Sequence, residues 1–265
     1  MYELGIIGVG NMGGAIVRGA IKSGLIAPKS IIIYERNKEK VRDILQRGVS
    51  YAGSEEELVS KSKRLLIAIR PQGFEELGDK IKDKLEKDTL IISIAAGVSI
   101  EAMNSIFGED KKYIRVMSNT PATIGEGMTA ISPESGLDSE SIDFAFNLFE
   151  SVGKVIILDE SKIASFTGFV GCMPAYLFML IESASDAAVS HGFSRAEIYQ
   201  LMSQVMLGSA KLVQESGKHP AELKDEVTSP GGSTIKGVLV LEKAGFRNAI
   251  IEAVHEGTKA SEKLI

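Results

Sequence analysis

Short apolar runs alternate with amphipathic stretches through the first 158 or so positions of the chain. Leu4-Gly5-Ile6-Ile7-Gly8, Ile31-Ile32-Ile33-Tyr34, Leu65-Leu66-Ile67-Ala68-Ile69 and Leu90-Ile91-Ile92-Ser93-Ile94 are nearly continuous in apolar character and rich in β-branched residues. Strands covered on both faces of a parallel sheet read this way. Helical patterns fall between them at Met12–Ser23, Lys38–Arg47 and Phe74–Leu85, and further strands are predicted near Tyr113–Met117, Met128–Ile131 and Lys154–Ile157. Alternation of this kind predicts right-handed βαβ units in a doubly wound α/β sheet.

From about Ser161 the strand signals stop. Pro174 has no N–H to donate and opens or kinks a helix. Tyr176-Leu177-Phe178-Met179-Leu180-Ile181 is apolar on every side, so it must be covered all round by a core or by another subunit. Ser194–Glu215 reads as a second helix, with Ser194 as N-cap and Gly217 as stop. Thr234–Ala244 and Arg247–Ile265 complete an all-helical half. The pattern therefore predicts a nucleotide-binding-type α/β domain at 1–158 and a helical domain at 159–265, with subunits joining through the helices.

Composition adds limits. The 265 residues are 44% apolar and 25% charged, enough for a real core, and the formal net charge is −5. No lysine- or arginine-rich run offers a nucleic acid the clustered positive field it needs. The single cysteine, Cys172, cannot form an internal disulfide, and the chain reads as intracellular and cytoplasmic. The apolar stretch Met173–Ile181 is shorter than the roughly 20 residues of a membrane span, so no membrane association is expected. His191, His219 and His255 share no metal-ligand spacing, and no metal site is expected.

Four segments carry candidate chemistry. In Gly8-Val9-Gly10-Asn11-Met12-Gly13 the glycines suit a tight turn, a close phosphate approach and close helix–strand packing, between a predicted strand and a predicted helix. This is the context of a dinucleotide site, with the helix N-terminus receiving the pyrophosphate. At the end of the next strand, Glu35 suits the free ribose of NAD, whereas Arg36 and Asn37 suit the extra phosphate of NADP. Ala68, Arg70 and Pro71, then Ala95, Ala96 and Gly97, then Asn119, Thr120 and Pro121 follow successive strands and would line the same sheet edge. Last, Ser229-Pro230-Gly231-Gly232-Ser233-Thr234 precedes a helix and offers either an anion pocket or a simple capping turn.

Taken together these segments resemble the pyrroline-5-carboxylate reductase family. The resemblance rests on the glycine turn, Ser93-Ile94-Ala95-Ala96-Gly97-Val98, Arg115-Val116-Met117-Ser118-Asn119-Thr120-Pro121 and Pro174-Ala175-Tyr176. Its most specific part is Leu223-Lys224-Asp225 through Ser229–Ile235, with Leu241-Glu242 and Gly245-Phe246-Arg247. It implies a Rossmann domain followed by a helical dimerisation domain, and homodimers that assemble into a larger ring. It also implies hydride transfer from NADPH, with NADH as the alternative, to 1-pyrroline-5-carboxylate, giving L-proline in the last step of proline biosynthesis. The resemblance places substrate binding on Ser229, Gly231, Gly232, Ser233 and Thr234, supplied by the partner subunit, and the nicotinamide near Asn119, Thr120 and Pro121. Thr234 would hold the ring nitrogen as the catalytic hydroxyl. The chain departs from the family at Val170-Gly171-Cys172-Met173, where serines are usual, and at Ser118, where proline is common. The first departure keeps two other readings open: a dinucleotide-binding paralogue without reductase activity, or a reductase of another small imine or keto carboxylate.

Overall fold

A computed structural model describes residues 1–263. The strands are β1 (Leu4–Ile7), β2 (Ile31–Tyr34), β3 (Ser50–Tyr51), β4 (Arg64–Ile67), β5 (Leu90–Ser93), β6 (Lys112–Met117), β7 (Gly127–Pro133) and β8 (Gly153–Ile157). They form one sheet in the order β3-β2-β1-β4-β5-β6-β7-β8. Each expected strand is present within two residues of its predicted ends. The two-residue β3 was too short to leave a pattern. The sheet is parallel from β3 to β6; β7 then pairs antiparallel with β6, in the register Val116↔Ile131, and parallel with β8.

Helices α1 (Asn11–Lys22), α2 (Arg42–Leu45), α3 (Glu55–Ser60), α4 (Phe74–Ile81), α5 (Ile100–Phe107) and α6 (Ser139–Glu150) fill the connections. Two cores lie on opposite faces because alternate strand residues point opposite ways. Leu4, Ile6, Ile31, Ile33, Leu66, Ile92 and Val116 join one, with Ile16 and Val17 of α1. Ile7, Ile32, Leu65, Ile67, Ile91 and Tyr113 join the other, with Leu77 of α4 and Met103 of α5. This double covering explains the unbroken apolar runs in the sequence. Beyond β8, Arg115 of β6 is almost wholly buried and donates to Glu160 Oε1 at 3.0 Å. The same oxygen accepts from the Ile100 N–H at 2.9 Å, so this ion pair ties the start of α5 to the sheet.

The chain divides into two compact units, residues Met1–Cys172 with the segment from Glu256 onward, and Met173–His255. The first contains the sheet, the short helix α7 (Ile163–Phe166) and a π-helical turn at Thr167–Gly171, closed by the Cys172 N–H on the Thr167 carbonyl at 2.9 Å. The second is helical: α8 (Met173–Ser190), α9 (Arg195–Ser216), α10 (Pro220–Glu226), α11 (Ser233–Lys243) and most of α12 (Phe246–Glu262). Ser194 caps α9 by accepting the Glu197 N–H, and Gly217 ends it in the left-handed region with φ 64°, as the sequence predicts.

Between Met173 and His255 only Pro174, Ser185 and Ile198 are buried. Phe178 is 61% exposed and Met179 64%. Within the Tyr176–Ile181 stretch, apolar all round, Leu177, Phe178, Met179 and Leu180 are thus exposed, while Tyr176 is half-buried and donates to the Ala253 carbonyl at 3.1 Å. The helical run Glu160–Ser190 is also long and apolar enough, by length and composition, to cross a membrane.

Candidate active site

The glycine turn follows β1 directly. Gly8 has φ 88°, and a Cβ there would sit 2.6 Å from the Ala68 carbonyl oxygen, so both backbone and space require glycine. A Cβ on Gly13 would lie 2.2 Å from the Gly8 carbonyl oxygen, because α1 packs close against the end of β1. A Cβ on Gly10 would meet nothing within 4 Å. Gly10 therefore keeps open the space in front of the turn rather than satisfying any internal packing. As the N-cap of α1 it offers no side-chain acceptor, and the first turn of α1 carries no acidic residue. The earliest N–H groups of a helix have no partner inside it. Gly10 and Asn11 are exposed here, at the positive end of the dipole, which is where a pyrophosphate binds at a helix start.

Glu35 stands beside the turn. Its Oε2 accepts the Val9 N–H at 3.0 Å and its Oε1 accepts the Asn37 N–H at 3.2 Å. The Tyr51 hydroxyl donates to the Glu35 carbonyl at 2.9 Å, so backbone and carboxylate are both fixed. Arg36 and Arg70 are exposed and take part in no ion pair among the described residues.

A cavity of about 740 Å³ opens at this edge. Gly8, Gly10, Glu35, Arg36, Ala68 and Arg70 line it, all anticipated from sequence. Tyr34, Glu55, Ile69, Gln72, Glu76 and Lys80 line it too. Of these, Glu76 and Lys80 gave no motif signal; they are one turn apart on α4, and Lys80 Nζ lies 2.8 Å from Glu76 and 3.8 Å from Glu55. The hydrogen bond to Glu76 holds the Lys80 ammonium above the usual lysine range and Glu76 below the usual carboxylate range. Burial, then the nearby Glu55, pushes the Tyr34 phenol up. Asn11, Met12, Gly13, Asn37 and Pro71 adjoin these residues in the chain without lining the cavity.

Ala95, Ala96 and Gly97 follow β5, and Asn119, Thr120 and Pro121 follow β6, at the same carboxyl edge but outside the cavity. Gly97 turns with φ 81°. Asn119 braces its surroundings: Oδ1 accepts the Met128 N–H at 2.9 Å and Nδ2 donates to the Val170 carbonyl at 3.4 Å. The π-helical turn includes Val170 and Gly171 of the Val170–Met173 segment, and a Cβ on Gly171 would press on Met117 at 2.8 Å.

In the helical unit, Ser229-Pro230-Gly231-Gly232 closes a turn through the Gly232 N–H on the Ser229 carbonyl at 3.0 Å, with Gly231 at φ 72°. Proline second and a positive-φ glycine third is the chemistry of a type II turn. The turn delivers Ser233 and Thr234 to the start of α11, whose N-cap, Gly232, provides no side-chain acceptor. Ser229, Gly231, Ser233 and Thr234 are exposed, and Gly232 is half-buried.

Residues 160–264 match the family model described as pyrroline-5-carboxylate reductase dimerisation, and residues 3–97 match one described as NADP oxidoreductase coenzyme F420-dependent. A pyrroline-5-carboxylate reductase of Escherichia coli is 41% identical over 263 residues, covering 99% of this chain and 98% of its own. One from Arabidopsis thaliana is 38% identical over 264 residues, covering 99% and 95%. The chain belongs to the pyrroline-5-carboxylate reductase family. Among solved structures, the Plasmodium falciparum pyrroline carboxylate reductase with NADP bound superimposes with a TM-score of 0.90 at 30% identity, covering 99% of this chain and 98% of that one. The chain is therefore an oxidoreductase whose second half is a dimerisation domain. A reductive aminase of Aspergillus terreus, 17% identical with a TM-score of 0.61, shares the fold.

Proposed function

We propose that this chain reduces the C=N bond of 1-pyrroline-5-carboxylate to give L-proline, the last step of proline biosynthesis, with NADPH as cofactor. The observation that carries the reading is the full-length likeness to pyrroline-5-carboxylate reductases together with the formed Ser229–Thr234 turn. Bound NADPH supplies the hydride. The open α1 N-terminus at Gly10, Asn11, Met12 and Gly13 binds the pyrophosphate. Glu35, Arg36, Asn37, Ala68, Arg70 and Pro71 hold the adenosine half, and Ala95, Ala96, Gly97, Asn119, Thr120 and Pro121 orient the nicotinamide half. The substrate carboxylate is held by Ser229, Gly231, Gly232, Ser233 and Thr234, whose N–H and hydroxyl donors precede α11.

A cyclic imine is basic enough to be protonated near neutral pH, so the electrophile needs little activation by the protein. Positioning then carries the catalysis, and alignment of two bound reactants is worth several kcal/mol. The Thr234 hydroxyl pairs with the ring nitrogen and fixes the imine carbon. The functional boundary lies near residues 158–159. The uncovered helices pair in a homodimer that assembles into a larger ring in the cytoplasm, with no nucleic-acid, membrane or metal partner.

The test is oxidation of NADPH, followed by its absorbance, on addition of 1-pyrroline-5-carboxylate, with proline identified as product. A folded, dimeric protein that binds the dinucleotide yet turns over none of the imine would overturn the reading. It would favour the non-catalytic alternative that the Val170–Met173 departure raises.

A further inference from the structure

The adenosine end of the cavity holds two side chains of opposite sign that suit different cofactors. Glu35 is fixed by the Val9 and Asn37 N–H groups and through its backbone by Tyr51. Arg36, the next residue, is exposed and without an ion pair among the described residues. Lys80, another cation of the cavity, is already committed to Glu76. An ionised carboxylate has about four acceptor positions. Two of those on Glu35 are used, so two remain for ribose hydroxyls without any rearrangement. A 2′-phosphate in the same place meets a carboxylate that cannot swing away without releasing the glycine turn.

We infer that Glu35 is a specificity-determining residue, which admits the free adenosine ribose and restrains binding of the 2′-phosphate, while Arg36 is the cation that keeps NADPH acceptable. The chain thus binds NADH and NADPH with affinities within about tenfold of each other. This rests on the dinucleotide site proposed above but not on the identity of the imine.

The experiment is calorimetric titration of the full-length protein with NADPH, NADH, 2′,5′-ADP and 5′-AMP. Parent protein, Glu35→Gln and Arg36→Gln are compared, with melting curves to check folding. Glutamine keeps the shape and one acceptor oxygen while removing the charge. Glu35→Gln should shift the NADPH-to-NADH affinity ratio about tenfold or more towards NADPH, with 2′,5′-ADP tightening in parallel. Arg36→Gln should weaken NADPH and 2′,5′-ADP about tenfold and leave NADH and 5′-AMP within twofold. A parent protein that prefers either dinucleotide by well over tenfold would overturn the inference, as would a ratio unmoved by Glu35→Gln. The two fragments test the parent directly, so the inference stays exposed even if Glu35→Gln fails to fold. Tight binding of both dinucleotides with no imine turnover would leave this inference standing and remove the reductase reading; binding of neither would remove both.

Discussion

The three glycines of the first turn should fail in different ways when each is replaced by alanine. Gly10 has φ −73° and ψ −155°, at the margin of the extended region but with negative φ, and its added Cβ would touch nothing within 4 Å. The only structural loss is a poorer N-cap, about 0.5–1 kcal/mol. For a protein of this size that is a fall in Tm of about 1–4 °C. The same methyl occupies the space the pyrophosphate needs and pushes it off the N–H groups. A hydrogen bond to a charged group contributes about 1.5–3 kcal/mol, so losing one weakens binding by about that much. That is a Kd raised between about 10-fold and 150-fold. Gly13→Ala meets the Gly8 carbonyl oxygen at 2.2 Å and must move α1 against β1; overpacking of this kind costs about 1–3 kcal/mol or more. Gly8→Ala combines a contact of 2.6 Å with a φ of 88°. Both should lose stability and binding together, whereas Gly10→Ala separates them. Melting curves and NADPH titration of the three variants measure this. Gly10→Ala that melts normally and binds NADPH within twofold of the parent would refute the placement of the pyrophosphate.

Thr234→Ala should lower kcat/KM by the value of one hydroxyl donor, about 1–3 kcal/mol, with NADPH affinity unchanged; full activity would remove the proposed role. Phe178→Asp should shift the protein to monomer or aggregate in size-exclusion chromatography with light scattering, since each copy forfeits about 1.5–3 kcal/mol of apolar burial and gains a buried charge; a normal oligomer would place the interface elsewhere. Asp138 caps α6 by accepting the Ser141 N–H and pairs with Lys112 at 2.8 Å, and these partners hold its carboxyl well below the usual range. Its folded pKa is depressed, so its contribution is full above about pH 4, the unfolded value, and is lost as pH falls below that. Asp138→Ala should therefore cost about 1 kcal/mol at neutral pH, and chemical denaturation should show parent and variant converging in acid.

The sheet was legible because strands covered on both faces leave unbroken apolar runs, and Ile31–Tyr34 matches its prediction residue for residue. The direction of β7 was not, since Gly127–Pro133 has the same apolar texture whether it runs with its neighbour or against it. Helices α3, α5, α6 and α10 were passed over; three of them have eight residues or fewer, too short for a full amphipathic repeat. At the site, the glycines and Glu35 stood out because turn geometry and strand ends impose residue types. Glu76 and Lys80 did not, because an i,i+4 acid–base pair on α4 reads as ordinary surface until the fold turns it towards the cavity. The apolar helix at Tyr176–Ile181 was legible as a surface needing cover, and Leu177, Phe178, Met179 and Leu180 are left exposed within the helical unit.

The last helix returns the chain to the sheet-containing unit. Residues from Glu256 onward belong to that unit, and Gly168 lies so close to Thr258 that a Cβ there would meet its Oγ1 at 2.2 Å. Topologically, the helical unit is an insertion held by two covalent tethers, Cys172–Met173 and His255–Glu256, rather than a tail. A truncation after β8 would therefore strip the nucleotide-binding unit of a segment packed against its own π-helical turn. A shortened version would need a designed linker from about residue 172 to about residue 256. Conversely, a single protease cut inside the insertion would leave both pieces attached to the sheet-containing unit.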